Sequence, residues 1–224
     1  MKIAVCVSGV ITENYNETIK NLQEYFPYDF FYGMWNGRPK PDNIEVLEFD
    51  EPEMHYHPGK LKGPDSYNKY PTANDKFFHR TKQILIHSYL LRMLPKEYDM
   101  IIRCRFDNII NKNQKEMYTL LEHSYASGQT IGIHCPKGNP EKHINSFVEY
   151  PPQSPKAKQY LVDHMIFHRR DTFDCDYVEG LHSDGKLLPC ESGWWQALSE
   201  KNPAGHKSCL GFASIRKAPE YGHK

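Results

Sequence analysis

The stretch Tyr98-Asp99-Met100-Ile101-Ile102-Arg103-Cys104-Arg105-Phe106-Asp107 decides how this chain is read. Met100, Ile101 and Ile102 form a continuous apolar run, the pattern of a strand buried on both faces of a parallel sheet. Charged residues follow at once, where such a strand should finish. In open α/β sheets, ligands bind outside the carboxyl ends of the strands. The run therefore ends in either a binding site or an ion-paired strand terminus. In an extended chain, Arg103, Arg105 and Asp107 would share one face. Guanidinium groups offer paired donors to phosphate oxygens, and a neighbouring carboxylate can hold a divalent cation that bridges a diphosphate.

The surroundings of this stretch support an α/β architecture. Upstream, Phe77, Thr81, Ile84, Ser88 and Leu91 recur at helical spacing and predict a helix over about 74–94, with Thr72 and Asp75 as a capping box. The chain opens with a second buried run, Ile3-Ala4-Val5-Cys6-Val7, closed by Ser8–Gly9. A helix is expected from Thr18 to Phe26, stopped by Pro27, and strands over 28–34 and 44–49. Downstream, a helix is expected over 115–125, a strand over 130–134, a short helical turn at 171–173, a helix over 190–198 and a last strand over 208–215. Strands alternating with helices predict a mostly parallel central sheet. The extent of 224 residues fits one unit over 1–217 with a frayed tail at 218–224. Two proline-rich stretches, 50–73 and 136–158, are long for connections within a compact domain and suit loops that close over a cleft.

Composition narrows the function. Lys+Arg and Asp+Glu balance at 28 each, which gives no support to a nucleic-acid binder and leaves room for a local phosphate pocket. The apolar run at the start is too short for a signal-peptide core, and nothing later spans a bilayer. The six cysteines include no C-x-x-C pair, so they read as reduced, structural thiols of a cytoplasmic protein. No G-x-G-x-x-G, P-loop, H-E-x-x-H or G-x-S-x-G occurs.

Several further residues invite a chemical reading. Ser8–Gly9 suits either a plain strand-to-loop turn or a close backbone approach to a nucleotide. Asp163, followed by His164, interrupts an apolar run. It can be a general base, a partner to a metal site or a helix N-cap. Glu191 stands at a helix start, where a carboxylate is also favoured by the helix dipole. Asp174-Cys175-Asp176 is a literal D-x-D, but it does not follow an apolar strand.

Taken in order along the chain, these segments resemble small GT-A-like glycosyltransferases of lipopolysaccharide and capsule synthesis, the WavE-like group, which also occur in large viruses. The opening Lys2 to Gly9 resembles the family's first strand, although Val10-Ile11-Thr12 stands where a Gly-Gln-Pro-Arg turn is usual. Tyr28 to Trp35 resembles its second strand. Tyr98 to Asp107 resembles its Tyr-Asp, apolar stretch, Arg-x-Arg-Phe-Asp hallmark. Asp163-His164-Met165-Ile166-Phe167 resembles its Asp-Gln segment, with His164 in place of glutamine, and Pro189-Cys190-Glu191 its Pro-Glu helix start. The resemblance implies a glycosyltransferase that uses a nucleotide-sugar donor and a saccharide or glycan acceptor. It implies Asp107 holding Mn²⁺ or Mg²⁺, with Arg103, Arg105, Ser8 and Gly9 on the donor side. Asp163 would be the base toward the acceptor hydroxyl, with Glu191 as the second candidate. Two other classes stay open: a nucleotide-binding phosphohydrolase or nucleotidyltransferase, and a non-catalytic carbohydrate-binding protein using Trp35, Trp194 and Trp195.

Overall fold

The computed structural model describes residues 1–9, 11, 14–52, 73–110, 113–134, 161, 164–183, 190–199, 202, 204–210 and 212–213. The two proline-rich stretches lie almost wholly outside these residues, as do Thr72, Asp163 and the boundary expected at 217.

Strands β1 (Ile3–Ser8), β2 (Asp29–Trp35), β3 (Leu47–Phe49), β4 (Met100–Cys104), β6 (Thr130–His134), β7 (Met165–Arg169) and β8 (His206–Leu210) form one seven-stranded sheet. Its order is β3-β2-β1-β4-β7-β6-β8. The pairs β3–β2, β2–β1, β1–β4 and β6–β8 are parallel, and β7 runs antiparallel to both of its neighbours. The sheet is mixed and mostly parallel, as the apolar runs of β1 and β4 predict. A separate ribbon joins β5 (Ile109–Ile110) to β9 (Phe212–Ala213).

Continuous apolar strands are needed because helices cover both faces of the sheet. On one face, Ile3, Val5, Val7, Ile102, Cys104 and Phe167 pack with Leu22 of α1 (Tyr15–Tyr25) and with Met117 and Leu121 of α3 (Gln114–Ser127). On the other, Ala4, Cys6, Ile101 and Ile166 pack against Ile84, Leu90 and Leu91 of α2 (Ala73–Met93). The helices α4 (Cys175–Ser183) and α5 (Cys190–Ser199) pack in turn against α2, through Val178 and Trp194 among others. Each side of the sheet thus takes alternate residues of the same strands.

Local signals set the helix ends. Asn113 accepts from the Lys115 amide at 2.8 Å, and Gly128 ends α3 with φ 72°, where glycine bears no Cβ penalty. Phe26, extended, ends α1 immediately before Pro27, whose ring disfavours helix in the preceding residue.

Four expectations are corrected. The strand expected over 44–49 is only Leu47–Phe49, an edge strand bonded through Gly33–Trp35; Ile44 and Val46 pack on the core without joining the ladder. The strand expected over 208–215 is two pieces, β8 on β6 and β9 on β5. The turn expected at 171–173 is a 3₁₀ turn at Arg170–Thr172, and α4 follows it without having been anticipated. The extended stretch through Asp107 stops at Cys104, so Arg105 to Asp107 form a turn.

Candidate functional site

The order of the strands locates a crevice. From β1 the chain crosses through α1 to β2 on one side, and from β3 it returns through α2 to β4 on the other. The two crossing helices lie on opposite faces of the sheet. The direction of winding therefore reverses between β1 and β4, which is where doubly wound sheets open a crevice at the strand carboxyl ends. Val7 pairs with Cys104, so Ser8–Gly9 and Arg105–Asp107 leave the sheet side by side at that point.

Each segment there has a distinct geometry. Ser8 is fully buried and its Oγ has no hydrogen-bond partner among the described residues. Gly9 has φ 130°, a conformation that disfavours any side chain, and open space where a Cβ would stand. Its backbone can therefore approach a ligand closely. Arg105 and Asp107 form a two-pronged pair, Nε to Oδ1 at 2.8 Å and Nη2 to Oδ2 at 2.5 Å, with side chains 17% and 18% exposed. The ion-paired reading of this strand end is thus realised in the geometry. It does not preclude the binding reading, because a carboxylate retains further lone pairs.

Arg103 does not share a face with that pair. It is 0% exposed and points into the α2–α5 layer, its guanidinium 4.7 Å from the Trp194 ring centre and its Nη2 3.4 Å from Gln83 Oε1. Its backbone stands one residue before the end of β4, in register with Cys6 of β1. Behind it, His87 of α2 and His168 of β7 meet with their Nε2 atoms 3.1 Å apart, both buried and flanked by Phe173 and, at His87, Trp194. Burial holds both imidazoles toward the neutral form. For His87 the neighbouring His168 and the Arg103 charge act in the same direction; His168 is pulled down to about 4.

Two asparagines that the sequence did not single out frame the turn. Asn108, 1% exposed, donates from Nδ2 to the His164 carbonyl at 2.5 Å and ties the turn to the start of β7. Asn21 of α1 donates to the Ile110 carbonyl at 3.1 Å and accepts from the Ile110 amide at 2.8 Å. Neither belongs to a motif, and single polar residues carry no periodicity, so only the tertiary contacts reveal them.

The remaining candidates fall as follows. Asp163 lies outside the described residues, one position before His164. Glu191 belongs to the first turn of α5. The Asp174-Cys175-Asp176 triplet lies past the carboxyl end of the antiparallel β7, at the edge of the sheet opposite the crevice. There Asp174 caps α4, accepting from the Tyr177 amide at 2.9 Å, and Asp176 pairs with Arg92, so the D-x-D is a helix start. A cavity of about 470 Å³ bordered by Arg92, Asp174 and Asn202 lies at that same remote edge. Trp35 and Trp194 are core residues, which removes two of the three tryptophans from any sugar-stacking surface. No group of three or more His, Cys, Asp or Glu side chains suited to a metal occurs among the described residues. Nor is any described helix long and apolar enough to cross a membrane.

Comparison with solved structures bears on the fold. The chain superposes on 4-diphosphocytidyl-2C-methyl-D-erythritol synthase from Anaerococcus prevotii with a TM-score of 0.51 at 6% identity, covering 94% of this chain and 87% of the synthase. It superposes on mannose-1-phosphate geranyltransferase from Thermus thermophilus with a TM-score of 0.50 at 12% identity, covering 95% of this chain and 75% of that one. The chain shares its α/β fold with these two transferases. A glycosyltransferase involved in the glycosylation of the major capsid of PBCV-1 aligns over 93% of this chain and 81% of its own, at 12% identity and a TM-score of 0.46. No protein-family model matches the chain, and no curated protein matches it in sequence. At these identities the likeness is one of fold.

Proposed function

We propose that this chain is a glycosyltransferase that moves a sugar from a nucleotide-diphosphate donor to a hydroxyl of a saccharide or glycan acceptor. The observation that carries the reading is that Ser8–Gly9 and Arg105–Asp107 follow directly on the paired residues Val7 and Cys104, at the point where the sheet reverses its winding. There an unhindered backbone turn and a guanidinium can bind phosphate oxygens, and a carboxylate can reach them through a divalent cation.

In this reading the donor diphosphate lies across the ends of β1 and β4. The backbone at Gly9 and the Arg105 guanidinium face its oxygens, and the buried Arg103 adds a fixed positive charge near the end of β4. Asp107 and the donor's own phosphate oxygens would hold Mn²⁺ or Mg²⁺, which when bound neutralises the leaving diphosphate. A single carboxylate completed by substrate phosphates suits such a cation, and the Arg105 fork keeps that carboxylate oriented. Asp163, or Glu191 in second place, takes the proton from the acceptor hydroxyl. The acceptor oxygen forms its bond to the anomeric carbon as the bond from that carbon to the phosphate oxygen breaks, and the nucleoside diphosphate leaves.

The test is release of UDP or GDP from a panel of nucleotide sugars, with and without Mn²⁺, together with donor affinity and transfer rate for Asp163→Asn and Glu191→Gln. Asp163→Asn should abolish transfer with donor binding nearly intact, and Glu191→Gln should cost less. Transfer at the wild-type rate in Asp163→Asn would rule out its role as base.

A nucleotidyltransferase is the second reading, favoured by the fold shared with the diphosphocytidyl synthase. It would release pyrophosphate from a nucleoside triphosphate and a sugar phosphate, where the first reading releases a nucleoside diphosphate. The product separates the two.

A further inference from the structure

The contact between Arg103 and Trp194 has two unusual features. Arg103 is wholly buried, and a guanidinium in that position keeps its charge only where the surroundings compensate for lost hydration. Trp194 is also wholly buried, yet its indole Nε1 has no hydrogen-bond partner among the described residues. A buried N–H left unsatisfied is costly, so an apolar ring of similar size would pack here more cheaply. The indole is not placed to make its usual hydrogen bond. What its face does contact is the Arg103 guanidinium, 4.7 Å from the ring centre, and among aromatic side chains the indole face attracts a cation most strongly.

The position of this contact links it to the crevice. Arg103 is the residue of β4 immediately before Cys104, after which the chain turns through Arg105 and Asp107. Its side chain lies on the α2 face, the face also taken by Cys6, its register partner on β1. Trp194 belongs to α5, the helix whose first turn carries Glu191. The ring is held by the His87 ring at 5.3 Å and Phe173 at 6.1 Å between centres, so it cannot swing away from the guanidinium without repacking that cluster.

We infer that Trp194 is a positioning residue. Its ring face fixes the Arg103 guanidinium, and the fixed charge near the end of β4 favours a nucleoside diphosphate over the uncharged nucleoside. This inference rests on the diphosphate reading of the crevice. It adds that discrimination by charge depends on an aromatic ring that never touches the ligand.

The experiment compares affinities for UDP and GDP with those for uridine and guanosine, by calorimetry on the full chain. The proteins are wild type, Trp194→Leu, Trp194→Phe, and a chain carrying difluorotryptophan at position 194 alone. Fluorination weakens the attraction of the ring face for a cation while nearly preserving its shape, so it decides the matter should Trp194→Leu fail to fold. Trp194→Leu should weaken diphosphate binding about 10-fold, difluorotryptophan about 3-fold, and Trp194→Phe should recover most of the loss. Nucleoside affinity should not change in any of them. Equal losses for diphosphate and nucleoside, or no loss in the fluorinated chain, would overturn the inference and leave the diphosphate reading standing. A wild-type chain that binds neither diphosphate at millimolar concentration would overturn that reading, and the inference with it.

Discussion

His87 and His168 face each other across the contact between α2 and β7, their Nε2 atoms 3.1 Å apart and both rings fully buried. The hydrogen bonds fix their tautomers. His168 Nδ1 lies 2.8 Å from the Arg169 carbonyl, which can only accept, so that nitrogen carries the proton. His168 Nε2 is then the acceptor, and His87 donates to it from Nε2. His87 Nδ1 is left as a buried lone pair with no partner among the described residues. One pair of neutral rings satisfies this arrangement, and a second proton would add a charge beside Arg103.

Acid should therefore loosen the fold. His168 is depressed from 6.5 to about 4 by burial, against the weaker opposing pulls of the Arg169 carbonyl and Asp171, and His87 is depressed in the same direction. The unfolded chain binds protons that the folded chain refuses across this window. The stability conferred by neutral rings is complete above about pH 6.5 and is lost as pH falls toward 4, on the order of 2–3 kcal/mol. Urea melts at pH 7.5, 6, 5 and 4.5 should show the midpoint falling. The His87→Gln, His168→Gln double variant should lose most of that slope. A wild-type midpoint that stays level down to pH 4.5 would mean that the pair does not titrate as described.

Asp107→Asn tests the carboxylate without changing its size. Removing the charge from a mostly buried two-pronged pair should cost about 1 kcal/mol of stability. Under the proposed function it should also lower turnover by roughly 10²-fold or more, since a charge-stabilising group is lost. Thermal melts and donor turnover on the same preparation separate the two effects. Full activity with reduced stability would show that Asp107 serves only as the partner of Arg105.

Arg170 offers a control far from the crevice. Its Nη2 donates to the carbonyls of Leu91 and Leu94 at 3.0 and 2.9 Å, and its Nη1 donates to that of Pro95. One guanidinium thus donates to three carbonyls at and just past the end of α2, where intrahelical donors run out. Arg170→Ala should destabilise by about 2 kcal/mol, from bonds to a charged donor, while donor affinity is unchanged. A stability loss below about 0.5 kcal/mol, the usual range for a surface substitution, would contradict the capping role.

The thiols give a chemical check on burial. Cys6 and Cys104 are buried free cysteines, and loss of hydration pushes both thiols well up from their ordinary range; Cys175, half-buried, is pushed in the same direction. Cys6 and Cys104 should resist a thiol reagent at pH 8 in the native state. All six cysteines should react in denaturant under non-reducing conditions. Fast native labelling of Cys6 or Cys104, located by peptide mapping, would contradict the packing of β1 and β4.

The sequence was legible where burial imposes a strong pattern. The runs in β1 and β4 are apolar at every position because helices cover both faces, and that signal led directly to a mostly parallel sheet. The same logic failed beyond Cys104. A strand that ends and a strand that continues look alike once charged residues begin, so the sequence pattern alone groups Arg103 with Arg105 and Asp107. The side chains in fact diverge, Arg103 into the α2–α5 layer and the other two into a pair on the turn. The antiparallel entry of β7 left no trace, because Met165-Ile166-Phe167 reads the same in either direction. The His87–His168 pair was also hidden. The two residues are far apart in sequence, and only the packing of α2 on β7 joins them. The D-x-D triplet is the converse case, a pattern with the look of a metal motif whose lack of a preceding apolar strand tells against that reading, and which is the start of a short helix.

The central claim is that the crevice between β1 and β4 binds a nucleoside diphosphate. Calorimetric titration of the full chain with UDP and with GDP, each with and without Mn²⁺, tests it most directly. The expected result is saturable binding of at least one of them, strengthened by Mn²⁺ and lost or greatly weakened in an Arg105→Ala, Asp107→Asn double variant that still melts cooperatively. No binding of either diphosphate at millimolar concentration, or binding that the double variant leaves unchanged, would contradict the claim.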